Sequence, residues 1–253
     1  MRLDERHILV IGASKGIGHA CARKAADLGA RVTAVARNED RLQASMVELV
    51  GPTRVEPIAG DISSASFRRQ LAERIDPIDG LVYSPNLVLP YPSKYLDVEM
   101  MMPVLQVNLL GAVELNTELF KSRRIPDGSS LVYISSVASQ HPFEGGASYC
   151  MSKAALESYV RSIALEHGRR GVRANCIAPA MVRTEMFEET VGSWGDDVMA
   201  EYENSYLLGF GDPADVAELA AFLLSSASRW ITGETYRMDG GSTNSRVNRV
   251  NRS

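Results

Sequence analysis

The sequence is poor in cysteine, in clustered charge and in long apolar runs, and each shortage removes a class of protein. Its three cysteines, Cys21, Cys150 and Cys176, are far apart in 253 residues, odd in number and without a Cys-x-x-Cys spacing, which argues against a disulfide framework or a thiolate metal site. They read as reduced thiols of a cytoplasmic protein, with Cys150 either a small packed side chain or a redox-active thiol. The four histidines, His7, His19, His141 and His167, form no pair at metal-ligand spacing, so no metal is expected. A formal net charge of -4 gives nucleic acid no broad electrostatic reason to bind. Residues 1–7 carry four charges and lack the apolar core of a secretory signal. No uninterrupted apolar run reaches membrane-spanning length, so no membrane partner is expected. No linker, compositional shift or repeat of solenoid period divides the chain.

What is present belongs to an ordinary globular α/β protein. Hydrophobic residues make up 45% and charged residues 23% of the chain, within the usual range, and 253 residues suit one α/β domain spanning 1–253. Short β-branched runs at 8–11, 32–36 and 55–59 alternate with helical spacing, as at Ala22, Ala25, Ala26 and Leu28. The second half repeats the pattern, with strands expected at 80–83, 131–134, 172–177 and 235–238 and helices around 108–120, 148–167 and 213–224. Alternating β and α elements imply a Rossmann-type, doubly wound parallel sheet. Segment 181–210 breaks the rhythm, mixing aromatic residues with acids and glycines; it reads as a helical flap over the active site or as an irregular surface excursion. The polar tail 242–253 reads as a frayed end or a subunit contact.

The first strand runs into Gly12-Ala13-Ser14-Lys15-Gly16-Ile17-Gly18 and then into a helix. Glycines there allow a tight turn that brings backbone N–H groups and the positive end of the helix against a pyrophosphate. The spacing is Gly-x-x-x-Gly-x-Gly rather than the familiar Gly-x-Gly-x-x-Gly, so the position between strand and helix carries the inference of a dinucleotide site. The second strand ends in Ala36-Arg37 with no carboxylate to hold a ribose or repel a 2'-phosphate. Arg37 and Lys15 offer charge to that phosphate, which predicts NADP(H) over NAD(H).

Tyr149-Cys150-Met151-Ser152-Lys153 places a phenol and an ammonium on one helical face. An unperturbed tyrosine titrates near ~10, and a neighbouring positive charge favours its phenolate, so the pair is a usable acid and base. Ser136, thirteen positions earlier at the end of a strand, is placed to donate a hydrogen bond to a substrate carbonyl.

In order along the chain, the glycine loop, Asp61, Asn108, Ser135-Ser136, Tyr149 with Lys153, the Pro179 segment and Asp239-Gly240-Gly241 resemble the short-chain dehydrogenase/reductase family over nearly the whole length, most closely its 3-oxoacyl-(acyl-carrier-protein) reductase branch. The resemblance implies a seven-stranded parallel sheet with the nicotinamide at the carboxyl ends of the strands. It implies that Tyr149 protonates the carbonyl, that Lys153 holds the nicotinamide ribose and lowers the tyrosine pKa, and that Ser136 orients the carbonyl. Asn108 holds a water linking Lys153 to solvent, Asp61 and Ile62 frame the adenine, and Ile177, Pro179, Val182 and Thr184 contact the nicotinamide half. The implied substrate is a small-molecule or acyl-thioester carbonyl, and the implied assembly is a homotetramer or homodimer built on segments 108–120 and 149–167.

Three departures from the family pattern stand out. Tyr83-Ser84-Pro85-Asn86 replaces the usual Asn-Asn-Ala-Gly, Ile11 replaces a threonine, and Ala180 replaces a glycine. Proline removes an N–H and restricts Ser84 to extended conformations, so the backbone beside the cofactor is reshaped. Oxidation of a secondary alcohol by the same site, and a non-catalytic NADP(H)-binding regulator, remain as alternatives. Two further ambiguities remain: His141 is either a solvated loop residue or faces substrate, and Asp61 either frames adenine or caps the next helix.

Overall fold

The computed structural model describes residues 1–47, 55–185, 187–188 and 195–244. Seven strands form one parallel sheet: β1 (His7–Ile11), β2 (Arg31–Ala36), β3 (Val55–Ala59), β4 (Gly80–Tyr83), β5 (Ser130–Ile134), β6 (Arg173–Pro179) and β7 (Thr235–Met238). Their order is β3-β2-β1-β4-β5-β6-β7, and every neighbouring pair is parallel. Strands β1, β4, β5 and β6 are buried at every position, so β1, β4 and β5 read as largely apolar runs rather than as alternating ones, while β6 also buries Arg173 and Asn175. The two faces separate by parity: Ile8 and Val10 enter one core, Leu9 and Ile11 the other.

Helices cover both faces. These are α1 (Gly16–Asp27), α2 (Glu39–Val47), α3 (Ala65–Arg74), α4 (Val98–Leu105), α5 (Gly111–Lys121), α6 (Ala147–His167), α7 (Asp196–Asn204) and α8 (Pro213–Leu224). The first core takes Ala22, Ala25 and Ala26 of α1 with Val216, Ala217 and Ala220 of α8, small side chains that let the two helices approach closely. The second takes Leu71 of α3, Leu115 and Leu119 of α5, and Leu156, Val160 and Ile163 of α6. Helix α8 begins with a reciprocal capping box between Asp212 and Asp215 and has proline in its first turn.

A π-helical turn, Gln106–Leu110, joins α4 to α5, so the helix expected around 108–120 begins ten residues earlier. The run Val98–Lys121 is long and apolar enough to cross a membrane by length and composition. One face of it belongs to the core: Val104, Ala112, Leu115 and Leu119 are buried, and Asn108 and Asn116 are buried in hydrogen bonds to the rest of the fold.

The order of strands reverses between β1 and β4, which opens a crevice beyond their carboxyl ends. The excursion after β6 borders it. Val182 bridges to Gly211, and Phe187, Tyr206 and Phe210 pack together with Met181 and Met199 alongside, so this segment has a small core of its own. Residues 186 and 189–194 of that segment, and 245–253 of the polar tail, lie outside the described residues.

Candidate active site

At the mouth of the crevice the glycine loop makes three close approaches. Gly12 has φ +84°, and a Cβ on it would meet the Ser84 carbonyl carbon and the Pro85 nitrogen, each at 3.1 Å. A Cβ on Gly18 would lie 2.1 Å from the Gly12 carbonyl oxygen. Gly16, at φ +54°, faces Thr184 Cγ2, which a Cβ would meet at 3.3 Å. The loop thus touches the altered turn after β4 on one side and the segment after β6 on the other. Ile17 packs against the first core, Ser14 is half-buried, and Lys15 is the N-cap of α1, with extended backbone and no side-chain capping bond. A helix start with no side-chain cap, approached closely by three glycines, is a fit for a phosphate group.

Charge at this end follows the same plan. Lys15 Nζ lies 3.3 Å and Arg41 3.5 Å from the same oxygen, Oε2 of Glu185. Two cations from separate elements converge on one anion, where a phosphate oxygen has the same chemistry. Arg37 is exposed at the end of β2 and adds its charge to the surroundings of Asp61. Burial acts upward on the Asp61 carboxyl, but hydrogen bonds from Ser63 and the charges of Arg37 and Arg68 outweigh it and hold the group below the usual carboxylate range. Asp61 accepts from the Ser63 backbone at 2.8 Å and from its hydroxyl at 2.7 Å, while Ser64 is the N-cap of α3. Asp61 therefore does not itself cap α3. The Ile62 carbonyl accepts from Arg68 at 2.6 Å, and Arg68 also pairs with Glu114.

The reacting end is built from β4, β5 and α6. Ser136 follows β5, and its Oγ accepts from the Ala138 backbone at 3.2 Å. Tyr149 and Lys153 occupy successive turns of α6, at 8% and 1% exposure. Burial pushes the Tyr149 phenol above the usual tyrosine range, and the neighbouring Ser136 and Asn86 side chains pull it part of the way back. Lys153 Nζ lies 5.7 Å from the centre of the Tyr149 ring and donates to the Ile134 carbonyl at 2.9 Å. Burial lowers its own pKa to about 8, against the opposing influence of Cys176 and Glu157. Lys153 and Tyr149 thus lie side by side, as the Tyr-x-x-x-Lys spacing predicts, and the ammonium also donates to a carbonyl.

Asn108 sits in the π turn, fully buried, a kind of helix irregularity common at functional sites. Its Oδ1 accepts from Leu87 N–H at 2.8 Å, and its Nδ2 donates to Leu87 O and to Ser152 Oγ, each at 3.0 Å. Pro179 closes β6, Ile177 and Val182 are buried, and Thr184 Oγ1 accepts from Phe187 N–H at 3.2 Å. His141 is exposed. Cys150 is buried, as are Cys21 and Cys176.

Four residues that sequence reasoning did not single out belong to this site. Asn86 lies within the turn whose departure from the family pattern was visible. Arg41 and Glu185 meet from elements far apart in the chain. Glu157, 4% exposed, accepts from Ser135 Oγ at 2.7 Å one helical turn beyond Lys153, and its only sequence signal is an acid at i+4 from the lysine on a helix face.

Residues 12–243 match the family described as enoyl-(acyl carrier protein) reductase. The chain is 33% identical to glucose 1-dehydrogenase of Gluconobacter oxydans (strain 621H), over 96% of its own length and 93% of that protein. It is 31% identical to L-xylulose reductase of Mus musculus, over 94% and 97%. A solved structure from Beutenbergia cavernae, assigned as an NAD(P)-dependent gluconate 5-dehydrogenase with NADP bound at low occupancy, superposes with a TM-score of 0.88 at 28% identity, covering 96% of this chain and 99% of that one.

Proposed function

The chain belongs to the short-chain dehydrogenase/reductase family, and from that premise we propose that it is an NADP(H)-dependent oxidoreductase that interconverts a ketone and a secondary alcohol. The observation that carries this reading is the Tyr149 hydroxyl, buried at the crevice near Ser136 and one helical turn from the Lys153 ammonium.

The dinucleotide, when bound, supplies the hydride to the carbonyl carbon. Gly12, Ser14, Gly16, Ile17 and Gly18 hold its pyrophosphate, Lys15 and Arg37 its 2'-phosphate, and Asp61 and Ile62 its adenine. Pro179, Val182 and Thr184 hold the nicotinamide half, and Lys153 the ribose. The absence of a carboxylate at the end of β2 and the convergence of Lys15 and Arg41 on one anion favour the phosphorylated cofactor.

Tyr149 gives its proton to the carbonyl oxygen in reduction and takes it back in oxidation. Ser136 holds that oxygen in line with the phenol. Asn108 fixes the loop that carries Leu87 against α6 and so shapes the wall beside Tyr149. That wall is apolar, with Leu87, Val88 and Leu89 packed against Ala138, Tyr149 and Cys150, which suits the acyl chain of a 3-oxoacyl thioester better than a polyhydroxylated substrate. Buried, reduced thiols accord with a cytoplasmic enzyme. Exposed Met151 and Leu165 on α6 accord with a homotetramer or homodimer joined through its long helices.

The test is a panel of ketones, 3-oxoacyl thioesters and sugars offered with NADPH and with NADH. Turnover that prefers NADPH and falls roughly 10³-fold in Tyr149→Phe, with cofactor affinity retained, is the expected result. A Tyr149→Phe variant within a few-fold of wild type would refute the mechanism.

A further inference from the structure

The strand that leads to Ser136 is tied down at two consecutive residues by two consecutive turns of α6. The Ile134 carbonyl accepts from Lys153 Nζ at 2.9 Å, and the Ser135 hydroxyl donates to Glu157 Oε1 at 2.7 Å. From the side, β6 takes the Ser135 N–H on the Ile177 carbonyl at 2.7 Å. Ser136 is the next residue, and it leads at once into a short 3₁₀ turn that its own Oγ caps. The chain at Ser136 therefore leaves a point held on two sides, by the neighbouring strand and by the helix that carries Tyr149.

The residues that α6 buries around Glu157 are apolar: Leu156, Val160 and Ile163 enter the second core, and Glu157 itself is 4% exposed. A carboxylate there loses hydration, and a well-packed apolar residue of similar volume serves stability as well or better. What an apolar residue does not supply is an acceptor. A carboxylate accepts and does not donate, so the Ser135 hydroxyl has one role open to it, and a hydroxyl-to-carboxylate bond is among the shorter and stronger kinds. Tyr149, Lys153 and Glu157 stand on three successive turns of one helix face. The bond thus refers the position of Ser136 to the same rigid element that carries the phenol and the ammonium. Cutting it leaves Ser136 attached to the strand but free to shift, and misplacing a reacting group by about 1 Å costs roughly 10²-fold in rate.

We propose that Glu157 is a positioning residue that acts through Ser135: it holds the end of β5 against α6 and so sets where the Ser136 hydroxyl stands relative to Tyr149. The inference rests on the reading of Ser136 and Tyr149 as the groups that meet the carbonyl oxygen, but the tie itself is readable without turnover.

The experiment follows rate and amide exchange in the same variants. Ser135→Ala removes the hydroxyl alone, and Glu157→Met removes the acceptor with a side chain of similar length. Both are expected to lower kcat by roughly 10- to 100-fold with NADPH affinity unchanged, and Glu157→Gln, which keeps an acceptor oxygen, to recover most of that loss. Added to Ser136→Ala, neither change is expected to cost anything further, because the group it positions is gone, whereas a general structural defect adds its own loss. Independently of turnover, hydrogen exchange of the Ala138 amide, which is bonded to Ser136 Oγ, is expected to quicken roughly ten-fold in Ser135→Ala, while the amide of Val82 in the middle of the sheet keeps its wild-type rate. An unchanged Ala138 rate in Ser135→Ala overturns the proposal, as do equal acceleration at Ala138 and Val82 and a loss that adds in full to that of Ser136→Ala. If Tyr149→Phe abolishes turnover while Ser135→Ala retains the wild-type kcat, the enzymatic reading stands and this inference falls. Selective acceleration at Ala138 in a protein that reduces no carbonyl supports the tie and refutes the enzymatic reading.

Discussion

Asn108 grips Leu87 at both ends of its peptide, accepting from its N–H at 2.8 Å and donating to its carbonyl at 3.0 Å. One side chain in the π turn therefore fixes a loop that has no regular secondary structure around Leu87. Asn108→Ala would strand two backbone groups and the Ser152 hydroxyl contact. Leaving buried polar groups unmet costs about 1–3 kcal/mol, so the expected loss of stability is roughly 2–3 kcal/mol, read by denaturant titration. Turnover should fall as well, because Leu87 in the wall beside Tyr149 loses its anchor, while NADPH binding to the glycine loop is retained. A variant as stable as wild type would show that the grip contributes nothing.

The strands were legible because burial on both faces leaves little choice of residue: every position of β5 is apolar or small, and its two faces feed two cores. Even Pro57 in β3 gave no false signal, since β3 is an edge strand where a missing N–H is tolerated. Helix α2 left no readable stripe because only Leu42 of it is buried. Helix α4 was hidden by Pro103 in its interior, which reads as a break. At the site, Tyr149 and Lys153 were legible because one helix carries both. Asn86, Glu157 and the Lys15–Glu185–Arg41 group were not, because each contact joins elements that only the folded sheet brings together.

The cofactor preference should respond to charge in two opposite ways. Arg37→Ala is expected to weaken NADPH binding by roughly 10- to 100-fold, the worth of a charge-assisted hydrogen bond, and to leave NADH binding unchanged. Glu185→Gln removes one competing carboxylate from Lys15 and Arg41. These are exposed pairs worth at most about 1 kcal/mol, so NADPH should bind up to about five-fold tighter, with the gain fading as salt is raised. Fluorescence titration with both cofactors measures each arm, and equal losses for NADPH and NADH in Arg37→Ala would end the assignment of that residue to the 2'-phosphate.

Stability should carry the imprint of the buried ammonium. The folded pKa of Lys153 is lowered to about 8, below the ~10.4 of an unfolded lysine. Between those values the native state binds fewer protons than the unfolded chain, so this group's contribution to stability rises with pH across that window and is least favourable below it. Cys21 and Cys176, whose thiols burial pushes up, act in the opposite direction at alkaline pH, but Lys153→Met shares them. The difference in stability between Lys153→Met and wild type should therefore move in favour of wild type as pH rises from about 8 to about 10. Parallel curves across that range would show that the ammonium is not desolvated in the unliganded protein.

Gly18 in the glycine loop and Gly168 after α6 have similar ordinary backbone and predict opposite outcomes. Gly18 lies within α1, and the atoms a Cβ would meet are the Gly12 oxygen at 2.1 Å and carbon at 2.8 Å. Both belong to backbone, so no side chain can swing aside. Gly18→Ala must instead push the start of α1 away from the end of β1, opening the seam where Ala22 and Ala25 pack and displacing the N–H groups proposed to hold phosphate. Gly168 follows α6 at φ -58°, an angle alanine adopts freely, and nothing lies within 4 Å of a Cβ built there. Gly168→Ala restricts only the unfolded chain, which stabilises by about 0.4–1 kcal/mol. Thermal melting with and without NADPH should therefore show a small rise in Tm for Gly168→Ala with its response to cofactor intact. Gly18→Ala should show a large fall and no response to cofactor, and a Gly18→Ala protein still stabilised by NADPH would mean that the loop does not bind phosphate through the backbone at this helix start.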